Sequence, residues 1–354
     1  MLLLSVNAAC GGYRRVPSFV PGPPPATAPL AGTPLTTVWE TRPLRGPSAP
    51  IAHDSVAAYM GGIDRRVIAV DLVSGRTRWS HRVTGPLLSG VLLAGETIFA
   101  ATDRPGGKVH AFYRRSGNEL WSTRTGYVEA PLALAAGRLI VLTREQRILG
   151  IDTMSGRIAW RKRLPSHRVG PLALGDSVVL VTSYDSLYRV HVGDGRVELR
   201  RRSPGTLVSQ WVPLGGWLIG ATADSQVVAI RPDSLDLAWS ATLDAPLLSS
   251  PAIRDDTIYA VTRIGSVYRI VPGDTPETTQ LSSEPWPATG APAIFGSWLL
   301  VGGSEGALRA FELADGAEAW HTAMGRPLEL APLILGDSGF LALGGRGDLY
   351  RIGL

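Results

Sequence analysis

From residue 47 onward, apolar positions come in short bursts separated by turn residues. The stretch SAPIAHDSVAAYMGGIDRRVIAVDLVSGRTRWSHRV, residues 48–83, sets the pattern. A short apolar run follows a proline, then a polar turn and a second apolar run. A polar loop, the alternating run RVIAVDL, a Ser-Gly turn and a last run carrying Trp79 complete it. Runs of this length, bounded by Gly, Pro, Ser and Asp, predict four β-strands, A to D. The opening run recurs eight times, for example as APLALAAG, GPLALGD, SPAIRDD and APLILGD. No segment sustains the 3.6-residue period of a helix.

The pattern is written repeatedly. AVDLVSGRTRW (69–79), AFYRRSGNELW (111–121), GIDTMSGRIAW (150–160) and AFELADGAEAW (310–320) share one frame: a small residue, often an acid two positions on, a Gly turn and a closing Trp. The signature tryptophans are Trp39, Trp79, Trp121, Trp160, Trp239 and Trp320. Their gaps of 40, 42 and 39, then 79 and 81, give a period of about 40 residues. The missing members fall at Leu199 and around Thr279 to Leu281. Residues 35–354 hold eight periods.

A four-stranded unit of this size cannot bury both faces by itself. Stacking eight around an axis does so and leaves only short edges. The predicted fold is therefore all-β: an eight-bladed β-propeller of four-stranded antiparallel blades. In the repeat, the small residue is expected to admit a neighbouring sheet, the acid to accept turn N–H groups, the Gly to take positive φ and the Trp to pack between blades. The last unit, LELAPLILGDSGFLALGGRGDLYRIGL, supplies strands A to C only, whereas TTVWETRPL (36–44) has a D-type Trp39 with nothing before it. The N-terminal strand is thus expected to close the ring. The sixth unit, VPGDTPETTQLSSEPWP (271–287), lacks both the Gly turn and the docking Trp and is expected to be its soft point.

Composition narrows the chemistry. Apolar residues make up 45% and charged residues 18%, enough for a core and too few charges for a disordered chain. One cysteine, Cys10, excludes an internal disulfide and a thiolate metal site. The six histidines show no ligand spacing. The net charge of +5 is carried by arginine, since Lys108 and Lys162 are the only lysines. Aromatic residues do not interleave with the arginines as nucleic-acid stacking platforms do, so no nucleic-acid partner is expected. GGSEG (302–306) is a turn between strands and opens no helix, and no Ser-His-Asp triple has local context.

The first residues, MLLLSVNAAC, carry a short apolar run and then Ala-Ala-Cys. They resemble the end of a bacterial lipoprotein signal, although Asn7 departs from the usual pattern and the apolar run is short. The division expected is 1–10 as that signal with Cys10 lipidated, 11–34 as a Pro-rich linker, and 35–354 as the propeller. No run of 18 apolar residues predicts a membrane span.

Ala-x-Asp-x-x-Ser/Thr-Gly-x-x-x-Trp around eight blades resembles the docking motif of the pyrroloquinoline-quinone-type (PQQ-type) repeat propellers. AVDLVSGRTRW matches every fixed position, while GIDTMSGRIAW has Gly150 and AFYRRSGNELW has Tyr113 in place of the usual residue. The resemblance covers the chain from about residue 35 onward. Two branches matter. The quinoprotein dehydrogenases bind PQQ and calcium and often carry a Cys-Cys pair that this chain lacks. The BamB branch consists of cofactor-free lipoproteins of the outer-membrane β-barrel assembly machinery, and the chain is most like it. The resemblance implies a non-enzymatic scaffold without a cofactor, outer-membrane bound and periplasm-facing. It implies partners among the barrel assembly machinery, membrane contact only through a lipid, and a monomer within a complex. A periplasmic PQQ-repeat binding protein or quinoprotein-like dehydrogenase is the alternative.

The docking surface is expected on the face carrying the B–C and D–A loops, which share one side because strands alternate direction. There the sequence places Arg65, Arg66, Arg104, Arg144, Arg147, Arg263 and Arg346 in B–C loops, and Arg124, Arg163, Arg168 and Arg326 in D–A connections. Arg144, Arg147, Arg263, Arg346, Arg124 and Arg168 are the leading candidates, with Tyr127, Tyr184 and Trp211 as aromatic anchors.

Overall fold

Each period folds as one antiparallel sheet in the order A-B-C-D, with A innermost. The computed structural model describes residues 28–29, 32–165 and 169–353. Blade 1 spans residues 47–82, blade 2 91–124, blade 3 133–163, blade 4 172–202, blade 5 212–242, blade 6 252–282 and blade 7 293–323. Blade 8 takes its A, B and C strands from residues 333–353 and its D strand from Thr36–Thr41. There Thr37 pairs with Ile352 and Glu40 with Tyr350, so the two ends of the propeller are tied in one sheet as the sequence predicts. A fifth strand, Ala28–Pro29, pairs outside Thr36–Thr37 and lies within the stretch expected to be linker. No helix occurs among the described residues.

The core is divided among the boundaries. Eight buried apolar clusters each join two successive blades, from Trp79 with Ile98 and Phe112 between blades 1 and 2 to Trp39 with Leu341 and Leu349 between blades 8 and 1. The docking Trp is the outermost member of its cluster, and its indole lies on the C–D turn glycine of the next blade. A Cβ built on Gly75 would stand 2.7 Å from Trp39, and one on Gly156 would stand 2.6 Å from Trp121. Both glycines have φ near +68°, where L side chains are also strained. The indole N–H completes the lock. Trp39 donates to Leu72 O at 3.0 Å, Trp79 to Arg114 O at 2.7 Å, Trp121 to Thr153 O at 2.9 Å and Trp160 to Val192 O at 2.7 Å. Each acceptor belongs to the C–D turn of the following blade.

The small residue has a different role from the one expected. Ala69, Ala111, Gly150, Ala229 and Ala310 stand directly across the C–D hairpin from their own blade's Trp. A Cβ on Gly150 would collide with the Trp160 ring. The position therefore clears space for the indole of the same blade, not for a neighbouring sheet. The acid behaves as expected: Asp71 accepts from the N–H groups of Val73 and Ser74 and from the Ser74 hydroxyl. Its burial would raise its pKa, but these hydrogen bonds and Arg78 at 2.7 Å hold the carboxyl below its ordinary value.

Two tryptophans lack the acceptor, for legible reasons. Trp239 faces blade 6, whose C–D turn is rewritten as VPGDTPE. Trp320 faces blade 8, which has no C–D turn because the chain ends meet there. Neither indole N–H has a partner among the described residues.

The blades without a docking Trp compensate in a concerted way. In blade 4, Leu199 replaces the Trp, and the residue across from it is Arg189 instead of Ala. Arg189 donates to Pro232 O at 2.6 Å, the carbonyl a Trp would have reached. The turn glycine of blade 5 becomes Leu235, which holds φ +59° and is 1% exposed, filling the place of the absent indole. Deeper in, Trp211 and Trp286 sit in the D–A connections after blades 4 and 6 and are each 5% exposed. Trp211, expected to be an exposed anchor, instead packs between blades 4 and 5 and donates to Thr182 Oγ1 at 2.9 Å. Trp286 stacks on Phe311 and donates to Gly265 O at 3.0 Å.

These swaps should be thermodynamically coupled. Leu199→Trp alone is expected to destabilise, because Arg189 and Leu235 occupy the space. The triple variant Leu199→Trp, Arg189→Ala, Leu235→Gly should recover at least about 1 kcal/mol relative to the sum of the single effects. Urea unfolding of the four proteins measures this, and additivity would contradict it.

Blade 6 keeps its inner filling through Trp286 but not its outer lock. The fastest amide exchange among the eight C–D hairpins is therefore expected at residues 271–277, with the 258–261 strand as protected as those of the other blades.

Candidate docking face

The B–C and D–A loops lie on one face, as strand alternation requires, and they are braced to each other. In three B–C turns a non-glycine residue holds positive φ: Arg65, Gln146 and Ser225. Their carbonyls accept from Val83, Leu164 and Leu243 in the D–A connections. The loops are thus held by backbone bonds, and their side chains project from a rigid frame.

The arginines expected there divide into braces and free cations. Arg144 is a brace: it reaches Asp103 at 3.0 Å and Glu129 at 2.9 Å and lies 5.7 Å from the Tyr127 ring centroid. Arg66 pairs with Asp64, and Arg326 with buried Asp348, which also lies 3.7 Å from Arg42. Arg104 donates to Thr84 O. Arg124, Arg147, Arg263 and Arg346 are exposed and form no ion pair among the described residues. Arg168 and Cys10 lie outside the described residues. Tyr184 is 66% exposed, whereas Tyr127 is half-buried under Arg144.

Counting arginines alone overstated the charge of this face. The same loops carry Asp64, Asp103, Glu129, Glu145, Asp185 and Asp348. Hydrogen bonds from Ser186 and Ser183 hold the Asp185 carboxyl below its ordinary value, so it is anionic at neutral pH. The face mixes closed ion pairs with single exposed charges of both signs.

The excess positive charge lies elsewhere. The D strand of blade 3, Ile158–Arg163, ends in Arg161, Lys162 and Arg163, and that of blade 4, Val197–Arg202, ends in Arg200, Arg201 and Arg202. All six are exposed on the outer rim. The signal was present as RKR and RRR in the sequence, in strands that the loop-based reading passed over.

Among the described residues no group of three or more His, Cys, Asp or Glu is placed to hold a metal ion. His110 and His81 approach Glu119 at 3.1 and 3.7 Å. Burial pushes the His110 pKa down, so its imidazole is neutral near pH 7. No described helix is long and apolar enough to cross a membrane.

Known proteins share this frame. The family model described as outer membrane protein assembly factor BamB matches residues 105–214. The chain is 30% identical to the outer membrane protein assembly factor BamB of Salmonella typhimurium over 53% of this chain and 50% of that protein. It is 28% identical to that of Bordetella pertussis over 54% and 51%, and to that of Nitrosomonas eutropha over 36% and 31%. The aligned regions span about a third to a half of these relatives. In structure, BamB from Moraxella catarrhalis superposes with a TM-score of 0.75 at 18% identity, covering 91% of this chain and 98% of that one. A quinohemoprotein alcohol dehydrogenase from Pseudomonas putida superposes at 0.66 with 12% identity, covering 90% and 76%. At such identities these superpositions speak to the fold alone. The chain thus resembles BamB in sequence and shares the propeller fold.

Charge reversal separates the two classes of arginine. Arg144→Glu should lower stability by about 1–2 kcal/mol, since it sets a carboxylate beside Asp103 and Glu129. Arg263→Glu and Arg346→Glu should leave the melting temperature unchanged. Thermal unfolding followed by circular dichroism checks both; equal effects would contradict the division.

Proposed function

We propose that this protein is a non-enzymatic scaffold that assists assembly of β-barrel proteins into the outer membrane by binding a protein of the assembly machinery. In this reading a lipid on Cys10 holds it at the periplasmic side of that membrane, with the Pro-rich stretch as spacer. The observation that carries the proposal is the sequence similarity to several outer membrane protein assembly factors. The repeat geometry agrees with it. The motif's polar atoms are consumed in locking blades together, as in Trp79 to Arg114 O, and the loop carboxylates pair with arginines. The alternative, quinoprotein-like catalysis, draws only on likeness of fold.

The test is expression from native upstream DNA, followed by envelope fractionation and affinity purification. The wild-type chain should sediment with outer membranes and carry the barrel subunit of the assembly machinery. Cys10→Ser should move it to the soluble fraction. Unchanged sedimentation of Cys10→Ser would overturn the anchor, and absence of the barrel subunit would overturn the assembly role.

A further inference from the structure

The outer rim of the ring is electrically polarised. The D strands of blades 1–4 carry nine Arg and Lys residues against two Glu. Those of blades 5–8 carry none against three Glu. The positive charge peaks on blades 3 and 4, where Arg161, Lys162 and Arg163 stand beside Arg200, Arg201 and Arg202. Arg147 stands directly across the hairpin from Arg163 and adds a seventh cation.

Most of these cations have no acid partner. Arg201 pairs with Asp236 at 3.2 Å, and Arg200 donates to the Ser186 hydroxyl. Arg147, Arg161, Lys162, Arg163 and Arg202 have no carboxylate partner among the described residues, although Glu145 and Asp185 border the cluster. Some arginines close on acids, as Arg114 does on Asp54 and Glu96, and others elsewhere are unpaired, as Arg263 and Arg346 are, but no other two successive D strands carry six cations. Five cations without an acid partner, gathered on the outer parts of two successive blades, repel one another unless something external neutralises them.

Protection of exposed edges does not explain the cluster. Charged side chains do blunt edge strands, but LAWSAT, ETTQLS and EAWHTA in blades 5–7 are equally outermost and carry no Lys or Arg. The cluster therefore marks a particular sector. Blade 4 lies half-way round the ring from blade 8, where Ala28–Pro29 brings in the preceding chain.

We propose that the rim of blades 3 and 4 docks an acidic protein surface, on the side of the ring opposite blade 8. This deepens the scaffold reading and rests on it for the nature of the partner. Arg and Lys in this arrangement steer an acidic partner and fix its register, and the attraction weakens as salt screens it.

The test uses purified protein and two probes: a fluorescein-labelled polyglutamate peptide and vesicles of phosphatidylglycerol. The sector variant Arg161→Glu, Lys162→Glu, Arg163→Glu, Arg202→Glu is compared with a control reversing Arg45, Arg231, Arg254 and Arg269. The same four sector positions changed to Gln serve if the Glu variant does not fold. Polyglutamate binding should weaken about ten-fold or more in the sector variant and less than about two-fold in the control, and should fall with salt. Equal losses in the two would overturn the proposal. So would tighter, sector-dependent binding to the vesicles, which would assign the rim to a membrane. Because these readouts are independent of envelope assembly, their failure is distinct from failure of the scaffold role.

Discussion

The frame depends above all on one contact, made at four of the eight blade boundaries: an indole laid on a glycine of the next blade. The contact needs four residues in two blades. Trp121 needs Ala111 across its own hairpin to make room, Gly156 beyond the boundary to be approached, and the Thr153 carbonyl to receive its N–H. Removing a buried Trp from such a site typically costs about 3–5 kcal/mol. An indole N–H left without an acceptor costs about 1–3 kcal/mol, which makes the boundaries after blades 5 and 7 the less complete ones. Because each cluster joins only two blades, ring stability is close to a sum of neighbour terms.

The lock also determines where function is free to vary. Buried positions at the boundaries are committed to the frame, and part of the loop face is committed as well, where Arg66, Arg144 and Arg326 close on its own acids. The outer D strands are under no such demand beyond their Trp, and there the charge has been allowed to accumulate on one side. Frame and interaction surface thus occupy different layers of the same strands. In the strand Ile158–Arg163, Trp160 builds the ring and the next three residues are exposed.

The fold was legible because its determinant is local and periodic. A Gly turn and a Trp at fixed spacing identify the C–D hairpin, and eight repeats with a split last unit identify a ring closed by its ends. Legibility failed where a residue's partner lies in another repeat. Leu199 reads as a loss, yet it is one corner of an exchange with Arg189 and Leu235 that only the boundary reveals. Trp211 and Trp286 stand out of phase with the repeat, the first read as an exposed anchor and the second given no role, although both fill boundaries. Arg144 reads as a free cation because Asp103 and Glu129 are distant in sequence. The RKR and RRR runs were plain to see but gained meaning only when adjacent blades set them side by side.

The central claim is that a rigid, self-locked ring presents one basic rim sector to a protein partner. Site-specific photo-crosslinking in intact envelopes tests it most directly, with the probe placed in turn at residues 163, 202, 277 and 318. The account predicts protein adducts from 163 and 202, containing a component of the barrel assembly machinery, and none from 277 or 318. Adducts from 277 and 318 with silence at 163 and 202, or lipid adducts alone from the basic sector, would contradict it.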